Sequence, residues 1–113
     1  MWALVLLMAF IFVGCKKAPP PILKEIGPAK TKAGVAFNVQ SDGGAAMWFV
    51  TENATETTAI YWGDTKLRTD FHNPKLLTAP VPQELYARPA KLQIYLLDTK
   101  TGSKSNSMTF TVE

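Results

Sequence analysis

Three kinds of side chain in this sequence could carry chemistry: one thiol, one imidazole and nine carboxylates. His72 is the only histidine, and with Asp70 and a nearby serine it would form an acid–base triad. No nucleophile elbow or oxyanion motif accompanies it, and general acid–base catalysis needs a partner that orients the imidazole. We therefore expect a solvated histidine in a loop over residues 70–74, and no catalytic residue.

The carboxylates are spread along the chain. Aspartate often caps the backbone in turns. The carboxylates near expected turns are Asp64, Asp70, Glu84 and Asp98. Hard cations need several converging oxygen ligands, and no such spacing is present. The Gly43–Gly44 pair lacks the Lys-Ser or Lys-Thr and the helix that a phosphate-binding loop requires. The sequence therefore predicts no metal site and no cofactor.

The remaining reactive group is the thiol of Cys15. It is the only cysteine, so neither an intrachain disulfide nor a zinc knuckle can form. The apolar run over residues 1–13 is shorter than the ~20 residues that span a bilayer, but it matches the hydrophobic region of a secretory signal. The run ends in Phe12-Val13-Gly14-Cys15, which resembles the bacterial lipobox.

The lipobox resemblance implies a signal peptide over residues 1–14 and a diacylglyceryl thioether on Cys15. The small Gly14 lets the signal peptidase approach the scissile bond. Cleavage frees the Cys15 amine for a further acyl group such as palmitate. Two or three acyl chains attach a protein stably to a membrane, whereas one chain is marginal. The alternative is an uncleaved N-terminal anchor with an incidental cysteine.

The residues after the cysteine indicate where the anchored domain would lie. Residue 16 is lysine, and by resemblance to enterobacterial sorting the absence of Asp there favours the outer membrane. We expect attachment to the cell membrane or outer membrane, facing the periplasm or the cell exterior. Lys16 and Lys17 would lie against anionic headgroups, each contributing about 1 kcal/mol. Residues 15–21 form a short linker, and their three consecutive prolines favour extended polyproline II.

Beyond the linker, length and composition suit one globular domain over residues 22–113. The net charge of +3 is small and the basic residues are scattered, so we expect no nucleic-acid partner. Short apolar runs separated by turn residues predict an all-β fold, an immunoglobulin-like antiparallel β-sandwich of seven to eight strands. The expected strands are 22–26, 35–39, 46–51, 58–62, 65–69, 75–81, 91–98 and 107–112. Residues 82–86 favour a helical turn.

Several segments also carry a family resemblance, namely Ile22–Pro28, Thr31–Val39, Ile60–Leu67, Leu76–Pro82 and Thr101–Val112. In this order they resemble the first strand, second strand, central hairpin, "LTA-VP" strand and closing "SN…FTV" strand of the IPT/TIG family. The resemblance implies a binding or spacer module. The family occurs in cell-surface receptors, beside carbohydrate-active enzymes and in DNA-binding factors, so the fold does not define the function.

Alternation along the strands divides core from surface. The residues expected in the core are Val35, Phe37, Val39, Ile60, Trp62, Leu92, Ile94, Leu96, Phe110 and Val112. Tyr61 and Tyr95 then point outward together. Tyrosine and tryptophan are enriched where binding energy concentrates. We therefore expect a partner contact formed by Tyr61, Tyr95 and one of Trp48 or Phe49.

These expectations define a membrane-tethered, non-enzymatic binding or assembly module, whose partners are membrane lipid through Cys15 and an envelope protein or glycan. They indicate no oligomeric state. One alternative is a carbohydrate-binding surface protein that uses aromatic stacking. Another is a phage- or plasmid-encoded lipoprotein that blocks a surface receptor. A flat aromatic row beside Asn or Asp would favour glycan, whereas a mixed aliphatic and aromatic patch would favour protein.

Overall fold

The computed structural model describes residues 18–113, which form two β-sheets packed face to face. The predicted signal peptide over residues 1–14 and the Gly14–Cys15 processing site lie outside the described residues. The strands in the described part are β1 (Ile22–Gly27), β2 (Lys30–Thr31), β3 (Ala45–Glu52), β4 (Thr58–Trp62), β5 (Thr65–Lys66), β6 (Asp70–Asn73), β7 (Leu76–Val81), β8 (Ala90–Asp98) and β9 (Met108–Val112). A single 3-10 turn over Gln83–Leu85 lies within the expected helical turn.

The strand order is that of an immunoglobulin-like sandwich. One sheet has the order β1-β3-β7-β6 and the other has the order β2-β9-β8-β4-β5. If the two-residue strands β2 and β5 are set aside, the remaining seven strands A to G form ABED and CFG sheets, the arrangement of the constant-type domain. All strand pairs are antiparallel except β2 with β9, which is parallel. The predicted fold class is confirmed.

The core lies between the two sheets and follows the alternation of the long strands. The largest fully buried side chains include Met47, Phe49, Ile60, Leu77, Ile94, Leu96 and Phe110. Trp62 packs on Phe110 with 4.7 Å between ring centroids. Leu92 is half-buried at the edge of this core. The predicted inward positions of β4, β8 and β9 are therefore confirmed.

Residues 35–39 form a loop, and the predicted second strand there is wrong. Asn38 adopts a left-handed backbone conformation with φ of 45°, which interrupts an extended chain. Its Nδ2 donates hydrogen bonds to the carbonyl oxygens of Gly27 and Ala46, each at 3.2 Å. Because this side chain bridges β1 and β3, the loop is attached to the sheet without joining it. The second long strand is β3 instead.

The same loop places only one of its predicted core residues inside. Phe37 is buried and contacts Tyr86 and Phe110, with centroid distances of 5.2 and 5.5 Å. Val35 and Val39 are 52% and 60% exposed, so the prediction that they are core residues is wrong. The two-residue periodicity that would have buried them applies only to an extended strand.

The chain after the central hairpin also differs from expectation. The two-residue turn after β4 forms as predicted, but the returning strand β5 is only two residues long. Leu67 then enters the core. The Ile60 amide donates a hydrogen bond to the side-chain hydroxyl of Thr69 at 2.9 Å instead of to a backbone carbonyl of a neighbouring strand. The chain crosses to the other sheet, where Asp70–Asn73 forms β6 in place of the predicted loop.

The linker enters the sandwich at one defined end. Pro21 is buried, and the carbonyl of Pro20 accepts a hydrogen bond from Asn53 Nδ2 at 3.2 Å. The Asn106 side chain holds the start of β1 by accepting from the Leu23 amide at 2.9 Å and donating to the Leu23 carbonyl at 2.8 Å. The loops 53–57 and 99–103 lie at this end, since they follow β3 and β8 there.

Candidate functional site

Tyr61 and Tyr95 form a stacked pair on the outward face of the five-stranded sheet. They are register partners in β4 and β8, and their neighbours Ile60 and Trp62 point into the core. The two rings are nearly parallel, with an interplanar angle of 7° and 5.2 Å between centroids. Both side chains are half-buried. The stack therefore presents a fixed aromatic feature at the surface.

Lys104 covers the other side of this pair. Its Nζ lies 4.1 Å from the centroid of the Tyr95 ring, a cation–π contact. Lys104 bridges to Leu97 on the side of β8 away from β4, so Tyr95 lies between Tyr61 and Lys104. A sugar stacks on a free ring face, and both faces of Tyr95 are covered. Tyr95 therefore offers its ring edge and hydroxyl group to a partner, whereas the face of Tyr61 away from Tyr95 lies on the side of Lys66.

Of the two remaining aromatic candidates, the structure excludes Phe49. Phe49 is 0% exposed, because alternation along β3 turns it into the core. Trp48 points outward and is 38% exposed, but β3 belongs to the other sheet. The outer faces of the two sheets point in opposite directions. The predicted surface that joins Tyr61 and Tyr95 to Trp48 or Phe49 therefore does not form.

Trp48 has a structural role in its own sheet. It is the register partner of Gly27 in the edge strand β1, and its indole occupies the space that any side chain at Gly27 would need. An aromatic ring that covers a cross-strand glycine stabilises the strand pair. Beside the indole lies a groove of about 480 Å³, whose polar lining includes Asn38, Gln40, Asp42, Arg68, Asp70, His72 and Thr78.

His72 and Asp70 lie on β6 at the edge of this groove, and each has its own partner. His72 Nε2 is 2.8 Å from the hydroxyl oxygen of Thr78. Asp70 forms an exposed ion pair with Arg68 at 3.6 Å. The structure therefore joins the imidazole to a threonine rather than to Asp70. Within residues 18–113 no three His, Cys, Asp or Glu side chains cluster closely enough to hold a metal ion.

Asp98 accepts more hydrogen bonds than any other carboxylate in the domain, whereas its place in the sequence predicts only a turn-capping role. It is buried at the end of β8 and accepts hydrogen bonds from the hydroxyl groups of Thr57 at 2.8 Å and Thr55 at 3.2 Å. The amides of Lys100 and Thr101 donate to it at 2.9 and 3.4 Å. The Thr57 bond, with those of Lys100, Thr101 and Thr55, lowers the pKa of Asp98 against the opposing effect of burial.

The chain matches no protein-family model, and a search of the curated proteins gives no significant match. The IPT/TIG assignment stays a prediction from the sequence segments that carry it. Across the part of the chain that the structure covers, no helix is both long and apolar enough to cross a membrane.

Proposed function

We propose that this protein is a non-enzymatic binding or assembly module, attached to the cell membrane or outer membrane through acylated Cys15. Its contact surface is the outward face of the five-stranded sheet, centred on Tyr61 and Tyr95. The observation that carries the proposal is their stack, with both rings fixed in place at the surface. Rigid aromatic side chains lose little conformational freedom on binding and dominate many interfaces.

The position of the linker supports this arrangement. Residues 15–21 precede β1, and an extended polyproline II segment rises about 3.1 Å per residue, so a linker in the expected conformation would span on the order of 20 Å. The domain would therefore lie close to the lipid. The long strands run away from the linker end, so the tyrosine pair would stand on the side of the domain, accessible to a neighbouring envelope protein.

The test is site-specific photo-cross-linking in intact cells. A photoreactive residue at Gln93, which is exposed and lies two residues before Tyr95 in β8, would label whatever contacts this face. We expect a defined protein adduct that disappears in the Tyr61→Ala, Tyr95→Ala double variant. Tyr61→Phe, Tyr95→Phe preserves the rings and serves as the matched control. A folded double-alanine variant that keeps the adduct would place the binding surface elsewhere.

A second candidate function is carbohydrate binding at the groove beside Trp48. The observation that favours it is a half-exposed indole next to a groove lined by amide, carboxylate, imidazole and hydroxyl groups. Sugars combine ring stacking with such hydrogen bonds. The protein should then sediment with isolated cell-wall glycan, and Trp48→Phe should weaken this binding more than Tyr61→Phe does. Equal retention by both variants would reject the groove as a glycan site.

A further inference from the structure

The outward face of the five-stranded sheet carries positive charge around the tyrosine pair. Register places Lys66 beside Tyr61, and Lys104 covers Tyr95 from the opposite side. Lys91 and Lys30 flank Thr111 in a further row across β8, β9 and β2. Within the described sheet, none of the outward positions that register defines is Asp or Glu. The face is therefore a basic surface with an aromatic centre.

Most of this charge has no counter-charge within the domain. Lys30 lies 3.8 Å from Glu113 in an exposed ion pair at the edge of the face. Among residues 18–113, Lys66, Lys91 and Lys104 form no ion pair. The other sheet differs, because Lys24 pairs with Glu52 at 3.1 Å. Since unpaired lysines around an aromatic centre are complementary to carboxylates, the charge defines the chemistry of the partner.

We infer that this face docks an acidic protein surface, with partner Asp or Glu side chains against Lys66 and Lys104 and the tyrosine pair between them. The inference rests on the proposed function, which assigns the contact to this face. Both faces of the Tyr95 ring are covered, so a sugar could stack only on the one remaining face of Tyr61, beside the charged Lys66. A second copy of the chain, docked through the same face about a twofold axis, would bring like charges together.

A lipid surface fits less well than a protein. The linker leaves from the end of the sandwich, whereas the basic face runs along its side. The linker would hold the end of the sandwich toward the bilayer, whereas the proposed acidic surface would meet the side. An acidic protein and an anionic lipid can be distinguished by experiment. Under carbodiimide activation a protein carboxylate forms an amide with a lysine amine, whereas a phosphate headgroup leaves no peptide adduct.

The experiment is zero-length carbodiimide coupling in isolated membranes that hold the full chain. Carbodiimide joins an amine to a carboxylate that already forms an ion pair with it. We expect mass spectrometry to find Lys66 and Lys104 joined to Asp or Glu of one partner protein. The yield should fall about tenfold at about 1 M salt, where charges are screened beyond about 3 Å. Lys66→Gln, Lys104→Gln should also lose the photo-adduct formed from position 93.

The control lysine is Lys75, which is exposed outside the basic face and, like Lys66 and Lys104, forms no ion pair among residues 18–113. Coupling of Lys75 to the partner as strong as that of Lys66 and Lys104 would show indiscriminate labelling and overturn the inference. Coupling to a uronic acid, or retention of the photo-adduct in the double-glutamine variant, would also overturn it. In the last case the Tyr61- and Tyr95-dependent adduct would still stand, so the proposed function would survive. A folded Tyr61→Ala, Tyr95→Ala variant that keeps the photo-adduct would reject both this inference and the proposed function.

Discussion

At the scale of single residues, Asp98 joins the two loops beside the linker. Its carboxylate accepts from Thr57 and Thr55 in one loop and from the amides of Lys100 and Thr101 in the other. A further bond between the backbones of Thr99 and Thr57, at 3.0 Å, runs parallel to this link. Since the loops connect different pairs of strands, the carboxylate stabilises the end of the sandwich at which the linker enters.

Removing this carboxylate should weaken the fold measurably. Asp98→Ala removes a buried, charged acceptor and with it four part-buried hydrogen bonds, which should cost about 1–3 kcal/mol of unfolding free energy. Urea denaturation of the variant beside the wild type measures the loss. Asp64→Ala is the matched control, because Asp64 is exposed in the β4–β5 turn. A loss of stability in Asp98→Ala no larger than in the control would contradict the role of the loop link.

The same carboxylate predicts a dependence of stability on pH. Folding lowers the pKa of Asp98 below its ordinary value of 3.8, so the native state holds fewer protons than the unfolded state in that range. Stability from ionised Asp98 is therefore full above that value and is lost as pH falls through the lower native pKa. Urea denaturation at a series of pH values from about 5 to about 2 measures this dependence. The free energy of unfolding should fall less over this range in Asp98→Asn than in the wild type. Parallel curves would exclude this linkage.

At the scale of strands, two residues that alternation places in the core differ in their burial. Ile94 is 0% exposed in β8, whereas Val39 is 60% exposed in the loop before β3. Ile94→Ala should cost about 2–5 kcal/mol, because it empties a packed site. Val39→Ala should change stability by about 0.5 kcal/mol or less. The urea midpoints of the two variants measure the contrast, and equal shifts would show that the loop is packed like a strand.

These elements also show which features the sequence could predict. The inward positions of β4, β8 and β9 were predictable, because in a strand with one apolar face the alternation shows which residues point into the core. That register placed Tyr61 and Tyr95 outward side by side. The loop 35–39 was not predictable from alternation, because the left-handed Asn38 and its two side-chain hydrogen bonds depend on β1 and β3 being in place.

The failure at Trp48 and Phe49 has a different physical origin. β3 is apolar on both faces, so alternation alone could not say which of the two residues enters the core. Nor does a strand's own sequence state which sheet it joins. Here β3 lies opposite β4 and β8 across the core, and the outward indole is on the far side of the sandwich from the tyrosine pair. The residues of the predicted partner contact therefore lie on two separate surfaces, one with the tyrosine pair and one with Trp48.

At the scale of the whole molecule, the folded domain and the expected lipid anchor lie at opposite ends of a short linker. Asn53 and Asn106 hold the chain around Pro20 and Leu23, so the sandwich is complete from the first strand onward. The basic face and its tyrosine pair lie along the side of this unit. Attachment through the linker would restrict the domain to a layer near the lipid, where the effective concentration of an envelope partner is high.

Cys15→Ser tests the anchor, because a serine hydroxyl cannot form the thioether that the lipobox resemblance implies. We expect loss of palmitate labelling and a move from the membrane to the soluble fraction, since stable attachment needs at least two acyl chains. The unfolding midpoint should not change, because the sandwich begins at Ile22. Lys16→Ser keeps the thiol and is the matched control. Equal labelling and equal membrane recovery of Cys15→Ser and the wild type would reject acylation at Cys15 and, with it, the lipid-anchored part of the proposed function.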